Sequence, residues 1–124
     1  MLCFDTNIVI YLGNQTLGES IVGNEAICYA SVSLIEALGY PDILAAEEQR
    51  IKELFDTMIE IPLHASIIQM AVRLRQLKKM SLGDAIVGAT ALENGCTLWT
   101  ANIEDFMHID GLRIHNPLKG LVQS

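Results

Sequence analysis

Four acids stand where the chain leaves an apolar run or opens a helical one. Asp5 follows Leu2-Cys3-Phe4, Glu36 follows Ala26 to Ala30 by a few residues, Asp84 heads the stretch DAIVGATAL, and Asp105 follows Thr97-Leu98-Trp99. Three share a local form, Ser33-x-x-Glu36, Ser81-x-x-Asp84 and Asn102-x-x-Asp105, with an oxygen-bearing residue three places before the acid. That form is a capping box, which satisfies orphan N–H groups at a helix start and contributes about 1 kcal/mol with no chemistry attached. Taken singly, Glu36 and Asp105 read as caps. Taken together the four read differently, because no Lys or Arg stands beside them to neutralise a cluster. A like-charged pair at ~4 Å costs on the order of 4 kcal/mol at an effective dielectric of ~20. Protonation relieves that repulsion, and so does a cation. Helix N-termini favour ionised acids. Oxygen donors without a nearby thiol or imidazole select Mg²⁺ or Mn²⁺. The reading is a metal site.

The elements that must position these acids alternate. Short β-like apolar runs recur at Leu2 to Phe4, Ala26 to Ala30, Met58 to Ile61, Thr97 to Trp99 and Leu112 to His115. Between them lie helical patterns. Asp42 to Asp56 carries Ile43, Leu44, Ile51, Leu54 and Phe55 near the helical period, with Pro41 placed for a helix start. Leu63 to Lys79 carries Ile67, Ile68, Ala71, Leu74 and Leu77 on one face. Asp84 to Leu92 is apolar nearly all round and rich in small residues, the pattern of a buried helix, with Gly95 as its stop. Ile8 to Leu12 follow the Asp5 turn as a helix, either core or partner interface. Alternation of this kind predicts an α/β domain with a mainly parallel sheet of four to five strands covered on both faces. In such a sheet every strand-to-helix turn lies on the carboxyl edge, where ligands of open α/β folds bind. Asp5, Glu36 and Asp105 would meet there.

A chain of 124 residues and 13.6 kDa is read as one domain, 1–124, large enough for a core without staples. Hydrophobic residues at 51% and charged ones at 19% describe a globular chain. No apolar run reaches the ~20 residues of a membrane span, and the opening MLCFDTNIVIYL makes a poor signal peptide. The expectation is a soluble cytoplasmic protein. Cys3, Cys28 and Cys96 sit in apolar runs without zinc-ligand spacing, so they read as reduced core thiols. A net charge of −7 argues against a nonspecific nucleic-acid coat, which draws on Lys and Arg. It leaves open a nucleic-acid enzyme whose acids hold cations. Trp99 and Phe106 read as core. Arg73, Arg75, Lys78 and Lys79 form either a solvated helix end or a guide for RNA.

The motifs FDTNIVIYL, SVSLIEALGY, LGDAIVGATALENGCTLWTANIEDF and GLRIHNP together resemble the PIN-domain ribonucleases, and within them the VapC-type toxins of toxin–antitoxin pairs. The resemblance runs over essentially the whole chain. Asp-Ala-Ile-x-x-Ala-Thr-Ala, followed after a strand by Thr-x-Asn-x-x-Asp-Phe, is its most specific part. Gly83 departs from it, since relatives often carry proline before the acid. The segment from Asn14 to Asn24 carries no motif.

That resemblance implies a three-layer α/β/α fold and Mg²⁺- or Mn²⁺-dependent cleavage of RNA. It also implies homodimerisation and inhibition by a cognate antitoxin. It maps the acidic quartet onto Asp5, Glu36, Asp84 and Asp105 as catalytic residues and metal ligands, with Thr6, Thr100 and Asn102 as supporting polar groups. Lys78 and Lys79 are the candidate RNA contacts. Two alternatives within the same fold are an RNA-processing nuclease outside a toxin–antitoxin pair and a catalytically silent scaffold or binding module. A phosphoacceptor signalling domain fits less well: it needs a lysine at a late strand exit, where this chain has Asn116-Pro117, and paired acids near its start.

Overall fold

The computed structural model describes residues 1–18 and 22–119. Residues 19–21 of the motif-free segment lie outside it. Five strands, β1 (Leu2–Phe4), β2 (Ile27–Ala30), β3 (Ile59–Ile61), β4 (Thr97–Trp99) and β5 (Arg113–His115), pair in parallel in the order β3-β2-β1-β4-β5. The register sets Cys3 opposite Cys28 on one side and Leu98 on the other. Five α-helices accompany them among the described residues: α1 (Thr6–Gly13), α2 (Val32–Leu38), α3 (Ala45–Asp56), α4 (Ala65–Leu77) and α5 (Leu82–Glu93).

Successive strand residues face opposite layers, as the period of two requires. Cys3, Cys28, Ala30 and Leu98 join α4 and α5 in one core. Leu2, Phe4, Tyr29 and Trp99 join α1 and α3 in the other. Three layers result. Helix α5 is buried from Ala85 through Ala91, as its small residues predict, and ends at Asn94-Gly95 with Gly95 at φ +63°. Trp99 is buried against Phe4, their ring centroids 5.4 Å apart, and Phe106 is buried behind Asp105. All three cysteines are free and buried. Ile8, Val9 and Leu12 of α1 belong to the core.

Several local expectations are corrected. Helix α3 starts at Ala45 rather than beside Pro41, because Asp42 adopts φ +65° and turns the chain before the helix can begin. Leu44, expected on the buried face, stands at the helix entrance 72% exposed. On α4 the buried row is Ile67, Ala71 and Leu74; Ile68 lies one step round the helix and Leu77 at its end, and both are exposed. Among the described residues no helix is long and apolar enough to cross a membrane.

Candidate acidic site at the carboxyl edge of the sheet

The strand order runs from β1 towards β2 and β3 on one side and towards β4 and β5 on the other. The exits of β1 and β4 therefore flank the switch point where open α/β sheets leave a crevice. Asp5 is the first residue past β1. It caps α1, with Oδ1 accepting the Ile8 N–H at 3.0 Å, and is only 6% exposed. Thr100, fully buried past β4, accepts the Asn102 N–H at 3.0 Å, and its presence beside Asp5 favours the ionised carboxylate. The Asp5 N–H donates to the Trp99 carbonyl at 3.1 Å and ties the two strand exits together.

Glu36 comes from α2, but not through the expected capping box. The helix begins at Val32, and Ser33 lies inside it, buried, with its Oγ 3.0 Å from Thr6 Oγ1. The same Thr6 hydroxyl lies 2.6 Å from Glu36 Oε1. A hydroxyl has one proton to give. With that proton on the carboxylate, Ser33 is the donor to Thr6, and a chain Ser33–Thr6–Glu36 fixes the acid. Gly83 adjoins it: a Cβ built there would fall on Glu36 Oε2. The glycine that departs from the resemblance therefore makes room for one of the acids.

Asp84 sits in the first turn of α5 behind a true N-cap, Ser81 Oγ accepting the Asp84 N–H at 3.1 Å. Here the serine half of the capping box is formed. At Asn102 it does not: the Ile103–Asp105 segment is a single 3-10 turn, and the Asn102 side chain makes no capping bond. Asp105 is exposed on that turn, near enough to Asp84 to act on its ionisation.

Asp5, Thr6, Asn7, Glu36, Asp84 and Asn102 line one cleft of about 170 Å³. Burial is the largest influence on Asp5 and raises its pKa, with the Asp84 charge adding to the rise and the Thr100 and Ile8 hydrogen bonds opposing it. Asp84 is raised too, first by burial, then by the charges of Asp105 and Glu36 against the Ser81 hydrogen bond. No cation offsets this. Among the described residues the ion pairs are Met1 with Glu25 and Lys52 with Glu48, none of them cleft residues.

Lys78 and Lys79 lie exposed in the link from α4 to α5 and line no cleft near the acids. Asp105 lines a neighbouring cleft rather than this one. Ser33 and Asn7 are the site residues that sequence reasoning missed. Asn7 is visible in the Asp-Thr-Asn turn, whereas Ser33 has the spacing of a cap.

Among the described residues no three His, Cys, Asp or Glu side chains are gathered tightly enough to enclose a metal ion by themselves. Mg²⁺ does not require that: it dehydrates reluctantly, keeps several waters and is held through one or two carboxylates with substrate phosphate. Unneutralised acids with burial-raised pKa values, spaced around a small open cleft, fit such an ion.

The parallel five-stranded sheet between helical layers has the PIN-like α/β/α fold of the solved structures that it matches. No family model and no curated protein matches the chain. A chain of a toxin–antitoxin complex from Klebsiella pneumoniae is 29% identical, with 94% of this chain and 98% of that one covered and a TM-score of 0.74. VapBC2 from Rickettsia felis, bound to a DNA fragment from its promoter, gives 20% identity, 93% and 97% coverage and a TM-score of 0.78. DNA-bound VapBC from Salmonella typhimurium gives 17% identity, 94% and 97% coverage and the same score of 0.78.

Proposed function

We propose that this chain is a Mg²⁺- or Mn²⁺-dependent endoribonuclease and the toxin member of a toxin–antitoxin pair. The observation that carries the first part is the cleft shared by Asp5, Glu36 and Asp84, with no Lys or Arg paired to any of them among the described residues. Asp5 and Asp84 are the principal residues to hold the cation, with Glu36 and Asp105 completing its surroundings through direct or water-mediated contact. When bound, the cation supplies positive charge at the scissile phosphate and lowers the pKa of an attacking water.

The chain's own groups do the rest. Thr100 favours the ionised form of the Asp5 carboxylate beside it, and Ser33 with Thr6 holds Glu36. Carboxylate oxygens along the cleft are available to take the proton that the attacking water releases. Ile10 and Val87 supply its apolar wall, which strengthens the electrostatic interactions inside. Incubating the purified chain with generic single-stranded RNA checks the activity: cleavage is expected with Mg²⁺ or Mn²⁺ and none with EDTA. Intact RNA under every metal condition would leave a silent scaffold as the better description.

The toxin assignment draws support from the complexes that the matching chains come from. An antitoxin protein and a second copy of this chain are its proposed partners, and Ile68, Val72 and Leu77 offer exposed apolar surface for assembly. Lys78 and Lys79 remain proposed RNA contacts. Induced expression should arrest growth, and the Asp84→Asn chain should not. Unimpaired growth with active enzyme present would instead favour an RNA-processing role.

A further inference from the structure

Beside the acidic cleft lies a larger one, of about 620 Å³, lined by Asn102, Ile103, Glu104, Met107, Leu118 and Lys119 among others. Asn102 lines both, so the two clefts adjoin. The volume of the larger is within the ~300–1,000 Å³ range of small-ligand sites. One wall is fastened in advance. Asn116 accepts the Leu118 N–H at 2.9 Å and reaches the Ala101 carbonyl at 3.5 Å, joining the segment after β5 to the exit of β4.

The lining suits a base better than a phosphate. Ile103, Leu118 and Met107, the last 66% exposed, are apolar or polarisable groups against which a flat ring can lie. Glu104 is exposed and makes no ion pair among the described residues. Glu104 and Asp105 outnumber Lys119, the cation among the lining residues, which disfavours a phosphate and leaves acceptors seeking N–H donors. Single-stranded RNA presents such donors on its unstacked Watson–Crick edges. Guanine offers two side by side, N1–H and the 2-amino group, which match a carboxylate fork. Uracil offers one N–H between two carbonyl oxygens, which a carboxylate repels.

We propose that this second cleft is a nucleobase subsite that selects guanine next to the cut, with Glu104 accepting its N1–H and amino groups. The proposal rests on the ribonuclease reading only for the words "next to the cut"; base selection is a property of the cleft itself. Binding of 5′-GMP and 5′-UMP to the full chain, titrated by NMR in EDTA, tests it, since the shared phosphate cancels and only the base differs. GMP is expected to bind at least about fivefold more tightly, the lower end of what a good bidentate contact provides. Glu104→Gln is expected to abolish that preference. Equal binding of the two nucleotides, or an unchanged preference in the Glu104→Gln chain, overturns the proposal. Cleavage of a random RNA pool, with sequencing of the ends, runs in parallel. Guanine-selective binding without any cleavage would keep the subsite and remove the nuclease, whereas cleavage with no base preference at the ends would keep the nuclease and remove the subsite.

Discussion

Asp5 is the buried acid of the site, and the consequence of its burial can be measured without substrate. Burial raises its pKa in the folded chain, so the native state holds the proton more tightly than the unfolded state does. Whatever stability this gives is fully present below the ordinary carboxylate range and is lost as pH rises through the raised value. At neutral pH the ionised group therefore costs stability. Asparagine keeps an oxygen for the Ile8 N–H and is itself a strong N-cap. Asp5→Asn is accordingly expected to melt at the same temperature or a few degrees higher at pH 7, with the difference shrinking towards pH 4. A lower Tm across that whole range would contradict the account of Asp5. Gly83 makes a complementary prediction. A methyl at this helical position favours the helix by up to about 1 kcal/mol but displaces the Glu36 carboxylate. Gly83→Ala should fold at least as stably and cleave RNA more than tenfold more slowly. Unchanged kcat/KM would show that the Glu36 position does not matter.

The helix starts separate into those that are caps and those that only look like caps. Ser81 bonds the Asp84 N–H, and Ser81→Ala should cost about 1 kcal/mol in urea unfolding. Asn102 bonds nothing as a cap, and Asn102→Ala should fall within about 0.5 kcal/mol of the parent. Equal losses in the two variants would show that the 3-10 turn is capped after all. The sequence form is the same in both places. The residues beyond it differ: the twelve of α5 can sustain a helix, whereas Ile103–Asp105 make a turn of three. Periodicity makes α4 readable, because burial of a face repeats along it, whereas α5 and the strands are readable as continuous apolar runs. The start of α3 is not readable, since it depends on the left-handed backbone of Asp42. Nor is the Ser33–Thr6–Glu36 chain, which joins residues 27 and 30 positions apart. Capping forms are local and visible; hydrogen bonds between segments are not.

For the molecule as a whole, the parallel order β3-β2-β1-β4-β5 explains why acids so far apart in sequence meet. Every strand delivers its next residue to one edge, and the reversal of order at β1 and β4 opens a crevice there. That much is legible in the alternation of elements, whereas the division between two adjoining clefts, with Asp105 on the second, requires the folded chain. The overall charge of −7, and the lack of an ion pair on the cleft acids among the described residues, support the proposed added positive charge. Mn²⁺ should therefore raise the Tm of the parent chain in a concentration-dependent way, by mass action on the native state. The same titration should leave Asp84→Asn nearly unmoved, and an equal rise in both would place the ion elsewhere.

The proposed function depends on ionised side chains from separate elements of the fold acting on bound divalent metal. Comparing RNA hydrolysis by the parent and Asp84→Asn proteins, both shown to be folded by circular dichroism and supplied with saturating Mn²⁺, addresses it most directly. A loss of at least about 100-fold in the variant is the expected result. Equal rates from the two proteins would contradict it.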